Sequence, residues 1–299
     1  MPSPLEIINS KELAAMDISL FIKRDDLIHP YYGGNKWRKL KYNLIEMKKQ
    51  NQSRLLTFGG AFSNHIYACA AAGKYLGFET IGIIRGEECL PLNPTLSFAA
   101  SCGMKLYYLS RSQYQHKDST SVTKSLENQF GSFYYLPEGG SNELALEGCK
   151  EIVKEIDIHF DYICSACGTG ATLAGISSEL KTNQKALGFA ALKAEGYFEE
   201  QLNDFLKLNN DKSKYSIFND YCFGGYAKIN KELIYFMDWF SDTFNVSLDP
   251  VYTGKMMFGV FDLIRKGYFP SGSKIIAVHS GGLQGLEGMS SKINQLRVL

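Results

Sequence analysis

Short apolar runs recur along this chain, and most close on a polar or glycine-bearing corner that leads into a helical pattern. Arg54 to Phe58 reads as a strand ending at Gly59-Gly60, after which Ser63-Asn64 caps an alanine-rich helix through Ile66 to Leu76. Thr80 to Ile84 is a second strand, Asn93-Pro94 opens a helix through Ser97 to Ala100, and Lys105 to Leu109 is a third strand. A polar, serine-rich stretch precedes Phe133 to Leu136. The break Pro137-Glu138-Gly139-Gly140-Ser141-Asn142 follows, and Ser141 or Asn142 caps a helix from Glu143 to Glu155. Asp161 to Ser165 runs into Cys167-Gly168-Thr169-Gly170-Ala171-Thr172, then a helix from Ala171 to Leu180 and a strand-like run from Ala186 to Leu192. Lys274 to Val278 is a late strand ending at His279-Ser280-Gly281-Gly282. Strands this apolar, alternating with helices, call for parallel sheets covered on both faces. The expected class is α/β, with two domains of mostly parallel twisted sheets flanked by helices. Residues 1–51 and 143–299 would form the larger domain, with 52–142 a small domain inserted into it. Ligands in such folds sit at the carboxyl ends of the strands, where these corners lie.

Bulk properties narrow the partners. A chain of 299 residues, 45% hydrophobic and 21% charged, can bury a substantial core. A net charge of +1 argues against nucleic acid or an anionic membrane as the main partner. No apolar run reaches the roughly 18 residues that span a bilayer. Met1-Pro2-Ser3-Pro4-Leu5-Glu6 does not read as a secretory leader, so a cytoplasmic protein is expected. The seven cysteines are odd in number and scattered, which fits reduced thiols better than a disulfide framework. Cys164 and Cys167 form a single C-x-x-C with no second pair to complete a zinc site, and Cys164 reads as a buried strand residue. No metal site is expected.

Three stretches carry chemistry. In the loop at 168–172, small residues let backbone N–H groups approach an anion, Thr169 and Thr172 add hydroxyls, and the following helix offers its positive end. It has neither the Gly-Lys-Ser/Thr of a Walker loop nor the G-x-G-x-x-G of a dinucleotide fold. Taken alone, it also fits an empty strand-to-helix turn. Lys36 sits in Gly33-Gly34-Asn35-Lys36-Trp37-Arg38-Lys39-Leu40, at the start of a helix over 35–49. Trp37, Leu40, Leu44 and Met47 share one face of that helix, and Lys39, Lys41 and Lys48 largely avoid it. Alone, this cationic run reads as a solvated face. Beside two glycines and an asparagine, however, a lysine among cations can have the lowered pKa that an amine nucleophile needs. Gly59-Gly60-Ala61-Phe62-Ser63-Asn64-His65 exposes amides that could take a carboxylate, or is an ordinary cap with a structural histidine. An early lysine plus a later anion cradle is what a pyridoxal phosphate (PLP) enzyme requires: the lysine holds the aldehyde as a Schiff base and the loop holds the phosphate.

Taken in order, these motifs resemble the PLP-dependent 1-aminocyclopropane-1-carboxylate (ACC) deaminase and D-cysteine desulfhydrase family, of tryptophan-synthase-β-like fold (fold type II). The resemblance runs nearly end to end. It covers Lys23-Arg24-Asp25-Asp26, Gly33-Gly34-Asn35-Lys36, Gly59-Gly60 with Ser63-Asn64-His65, and Glu138-Gly139-Gly140-Ser141-Asn142. It continues through Ala166-Cys167-Gly168-Thr169-Gly170, Asp249-Pro250-Val251-Tyr252-Thr253-Gly254-Lys255 and His279-Ser280-Gly281-Gly282. It implies PLP in the cleft between the domains and a homodimer. Lys36 would carry the cofactor and then move protons at the substrate. Asn64 would bond the ring hydroxyl, and Ser63 with its neighbouring amides would hold the substrate carboxylate. Gly168, Thr169, Gly170, Ala171 and Thr172 would bind the phosphate. Ser280 would face the pyridine nitrogen, where a neutral hydroxyl leaves the ring unprotonated. Tyr252 and Tyr226 would stand over the substrate as acid/base groups.

Within the family, deaminases place a glutamate where this chain has Thr253, and tend to a glutamine where it has His65. Both positions here follow the desulfhydrase branch. The expected reaction is therefore D-cysteine to pyruvate, sulfide and ammonia. ACC to 2-oxobutyrate and ammonia is the alternative, and a D-serine-like or β-substituted alanine substrate is a third. Phe62 departs from the family's usual glutamine, the chain is somewhat short, and region 200–235 diverges. A reading of a different class is a non-catalytic module that binds a phosphorylated ligand through residues 168–172. It leaves Lys36 and the other motifs unexplained.

Overall fold

Ten strands lie among residues 2–193, 196–206 and 214–298, which the computed structural model describes. They are β1 (Leu5–Ile8), β2 (Ser19–Lys23), β3 (Arg54–Gly60), β4 (Glu79–Arg85), β5 (Lys105–Leu109), β6 (Tyr134–Leu136), β7 (Tyr162–Cys167), β8 (Lys185–Ala190), β9 (Tyr215–Phe218) and β10 (Lys274–Val278). They form two sheets. The six-stranded sheet has the order β1-β2-β10-β7-β8-β9 and the four-stranded sheet β5-β4-β3-β6. Every pairing is parallel except β1 with β2, which the sequence pattern had not revealed.

The helices in chain order are α1 (Lys11–Ala15), α2 (Gly34–Lys49), α3 (Asn64–Leu76), α4 (Pro94–Ser101), α5 (Arg111–Gln115) and α6 (Thr120–Phe130). They continue as α7 (Glu143–Lys154), α8 (Ala171–Ser178), α9 (Tyr197–Leu206), α10 (Lys231–Phe244), α11 (Thr253–Arg265) and α12 (Gly285–Val298). Strand side chains alternate between faces, and both faces are buried. In β10, Ile275 and Ala277 join one core with Leu20, Phe240 and Phe261, while Ile276 and Val278 join another with Ile152 and Ala174. In the smaller sheet, Leu55 and Ile84 face α3, whereas Leu56, Phe58 and Ile83 face the layer holding Tyr114 and Leu126. Burial on both faces is why these strands read as unbroken apolar runs.

The serine-rich stretch after β5 folds as α5 and α6, because its serines act as caps. Ser110 makes a capping box with Gln113, and the Ser119 hydroxyl accepts from Val122 N–H. One expectation for α2 is corrected. Lys39 does not lie on a solvated face; it is only 2% exposed, because the helix is covered by α7 as well as by α3. Among the described residues, no helix is long and apolar enough to cross a membrane.

Candidate active site

The strand ends converge on one cavity of about 960 Å³, lined by segments from both sheets. Beyond β2 lies Asp26, beyond β3 Ser63 and Asn64, beyond β6 Glu138, Gly139 and Ser141, beyond β7 Gly168, Thr169, Gly170 and Thr172, and beyond β10 Ser280 to Gln284. The first turn of α2 brings Lys36 into the same space.

Lys36 is placed by its neighbours. Gly34 has φ +68°, and a Cβ there would come within 2.1 Å of the Ser280 carbonyl oxygen, so only glycine lets α2 start this close to the end of β10. Asn35 N–H donates to that same carbonyl at 3.3 Å. The Asn35 side chain then bridges two parts of the site: its Oδ1 accepts from Lys36 Nζ at 3.2 Å and its Nδ2 donates to Thr172 Oγ1 at 3.2 Å. Lys36 keeps some accessible surface along the cavity. Its amine nevertheless lies deep enough that burial lowers its pKa, with Cys149, Cys69 and Asp249 offsetting part of the effect.

The loop after β7 is an anion cradle. Gly170 has φ +79° and caps α8 with no side-chain hydrogen bond, so the positive end of that helix lies at the cavity. A Cβ on Gly168 would press within 3.1 Å of the Tyr252 ring, so the bare backbone is what leaves room there. Lys39, one turn after Lys36, donates to Thr169 Oγ1 at 3.0 Å, to Ser141 Oγ at 3.1 Å and to the Gly139 carbonyl at 3.3 Å. Burial, with Lys36 nearby, lowers its pKa to about 7. Two amines thus share the cavity beside a hydroxyl-rich loop, a field suited to a dianion. A phosphate fits the cradle, and an aldehyde fits the buried Lys36 amine, so the residues present match PLP.

On the other side, Ser63 caps α3, its Oγ accepting from His65 N–H at 3.2 Å and Ile66 N–H at 3.3 Å. The Asn64 amide lines the cavity beside Gly282, where a Cβ would come within 3.1 Å of Asn64 Nδ2. His65 is buried, its Nε2 is 2.8 Å from Thr57 Oγ1, and burial together with Lys36 and Lys39 drives its pKa well below the usual histidine value. It is therefore neutral. Tyr252 and the half-exposed Tyr226 stand edge to face, 6.2 Å apart. Burial and Tyr226 raise the Tyr252 pKa well above the ordinary phenol value, so its hydroxyl stays protonated. Asp249 sets this turn by accepting from the N–H groups of Val251, Tyr252 and Thr253, and from the Thr253 hydroxyl at 2.7 Å.

Ten of the eleven site residues expected from the sequence line the cavity: Lys36, Ser63, Asn64, Gly168, Thr169, Gly170, Thr172, Tyr226, Tyr252 and Ser280. Ala171 does not line it; it is wholly buried as the first residue of α8. Cys167 lines the cavity and Cys164 is a buried free thiol. Part of the divergent region 200–235, residues 207–213, lies outside the described residues. Lys39, Ser141 and Asn35 went unassigned by sequence reasoning. The i, i+3 spacing from Lys36 was the available signal for Lys39.

The family model for pyridoxal-phosphate dependent enzymes matches residues 2–281. The chain is 31% identical to the bifunctional D-cysteine desulfhydrase/1-aminocyclopropane-1-carboxylate deaminase, mitochondrial, of Arabidopsis thaliana, covering 100% of this chain and 80% of that one. It is 26% identical to the D-cysteine desulfhydrase of Klebsiella pneumoniae, covering 95% and 93%. A solved structure described as an ACC deaminase homologue superposes with a TM-score of 0.86 at 28% identity, over 99% of this chain and 94% of that one. More of the similar proteins carry the deaminase name than the desulfhydrase name. The chain belongs to the PLP-dependent ACC deaminase and D-cysteine desulfhydrase family, and its fold is the tryptophan-synthase-β-like one.

Proposed function

We propose that this enzyme converts D-cysteine and water to pyruvate, sulfide and ammonia. The observation that carries the choice is Thr253. It is fully buried with its hydroxyl given to Asp249, so no carboxylate follows Tyr252 where deaminases are expected to have one.

Bound PLP supplies an electron sink for the pair left at Cα when its proton departs. The chain's own residues do the rest. The 168–172 loop, with Lys39, holds the phosphate. Asn64 holds the ring hydroxyl, and Ser280 offers the ring nitrogen a neutral hydroxyl. Ser63 and the first amides of α3 orient the substrate carboxylate. Lys36 has the lowered pKa that makes a neutral amine available, and takes the Cα proton. Tyr252, kept protonated, lies on the side of Tyr226 and can give its proton to the departing sulfur.

Visible absorption of the purified protein before and after D-cysteine, with sulfide measured on the same sample, tests this. We expect a yellow band that shifts as sulfide appears, and Lys36→Ala should lose both the band and turnover. A Lys36→Ala protein with full activity overturns the assignment. ACC deamination is the second reading, favoured by the deaminase name that most of the similar proteins carry. It predicts 2-oxobutyrate from ACC and no sulfide from D-cysteine.

A further inference from the structure

Lys255 is a buried cation that the reaction above does not use. It is 1% exposed, and among the described residues its hydrogen-bond partners include no carboxylate. Its ammonium instead donates to three backbone carbonyls: Cys222 at 2.8 Å, Gly225 at 2.8 Å and Ala191 at 3.1 Å. Three acceptors use all three N–H bonds of the ammonium. Burying a charge this way is costly unless each bond is made, so the arrangement holds its partners firmly.

The held segment is itself strained. Phe223, Gly224, Gly225 and Ala227 all have φ between +52° and +127°, two of them with side chains that disfavour this region. Such backbone persists only where its surroundings over-determine it. Between Gly225 and Ala227 in this segment stands Tyr226, which lines the cavity. Lys255 lies one turn after Tyr252 on α11, so a single helix start presents one tyrosine and holds the loop bearing the other. Ala191, just past the end of β8, gives the tether a rigid far anchor.

We propose that Lys255 is a positioning residue that fixes Tyr226 over the substrate by tying the carbonyls of Cys222 and Gly225 to the end of β8. This rests on the reading that Tyr226 acts in turnover, and the test separates the two claims. Turnover and cofactor absorbance are compared in four PLP-loaded proteins: wild type, Lys255→Met, Tyr226→Phe and the double variant. Lys255→Gln, which keeps two donors, replaces Lys255→Met if that chain does not fold. The expected result is a loss of kcat of tenfold or more in Lys255→Met with the cofactor band and KM little changed. The double variant should be no slower than Tyr226→Phe alone, because two changes acting through one group do not add. Wild-type kcat in the Lys255 variant, or a double-variant loss equal to the product of the single losses, overturns the positioning role. Full activity in Tyr226→Phe beside an impaired Lys255 variant removes the role of Tyr226, and the positioning claim with it.

Discussion

Lys39 shows how a single side chain changes meaning between sequence and fold. In the sequence it is one of six cations within nineteen residues, counting from Lys23 to Lys41: Lys23, Arg24, Lys36, Arg38, Lys39 and Lys41. In the fold it is buried against Thr169 and Ser141, with its pKa lowered to about 7 by burial and by Lys36. The amine is therefore charged below pH 7 in the free protein and largely neutral above it. A phosphate dianion nearby favours the charged form, so binding the cofactor at pH 8 draws a proton onto Lys39, and affinity falls as pH rises. Lys39→Met removes this charge. We expect it to weaken PLP binding by roughly tenfold or more at pH 6.5, the scale of one charge-assisted hydrogen bond of about 1.5–3 kcal/mol. The gap to wild type should narrow towards pH 9. Titrating PLP by absorbance at the two pH values checks this, and an equal gap at both would rule out the charge as the cause.

Elements meet at a few glycines, and Gly34 is the junction that brings a helix start onto the site. Its φ of +68° and its contact with the Ser280 carbonyl join the start of α2 to the end of β10, and so fix Lys36 relative to Ser280. Gly34→Ala adds backbone strain of about 1–3 kcal/mol and a steric clash beyond it. The expected outcome is a lower thermal midpoint together with a weakened cofactor band, since α2 must back away from Ser280. A variant that loses stability but binds PLP normally would show that this junction does not set the site. Most of the elements around the site were legible, because each pairs a doubly buried strand with a capped helix: Asn93-Pro94, Ser63 and Asn142 all cap where expected. Less was legible where the pattern is not amphipathic or not local. β1 is a half-exposed edge strand whose partner lies eleven residues beyond its end, and α5 and α6 hide in a polar stretch. The site was readable where it uses glycine corners. Lys39 and Asn35 escaped because their roles come from burial and from residues more than a hundred positions away.

At the scale of the whole molecule, we propose that the two sheets mark two domains, residues 1–51 with 143–299 and residues 52–142, with the site between them. Behind the site, a buried ion network ties distant parts of the larger one together. Arg38 on α2 donates through Nε and Nη2 to Asp25 at 3.0 and 2.9 Å, and also bonds Glu155 after α7. Lys23 on β2 reaches Glu155 at 2.7 Å and the Ser3 carbonyl at 2.7 Å. Arg38 and Asp25 are almost fully buried, so removing Arg38 leaves Asp25 as a buried charge without its counter-ion. Arg38→Met should therefore cost on the order of 3–5 kcal/mol of stability near pH 7. Burial pushes the Glu155 carboxyl up, but its bonds to Arg38 and Lys23 outweigh that and hold it down to about 2, from 4.5. A depressed carboxyl contributes stability that is fully present above pH 4.5 and is lost as pH falls towards 2. Without Arg38 that hold weakens, and the acid limb of unfolding should move to higher pH. Thermal melts of wild type and Arg38→Met between pH 3 and 7 check both effects. The two curves should draw together towards pH 3, where wild type has already lost part of the stability that its depressed Glu155 carboxyl contributes. A constant gap across the range would mean that Arg38 stabilises the fold by packing rather than by charge.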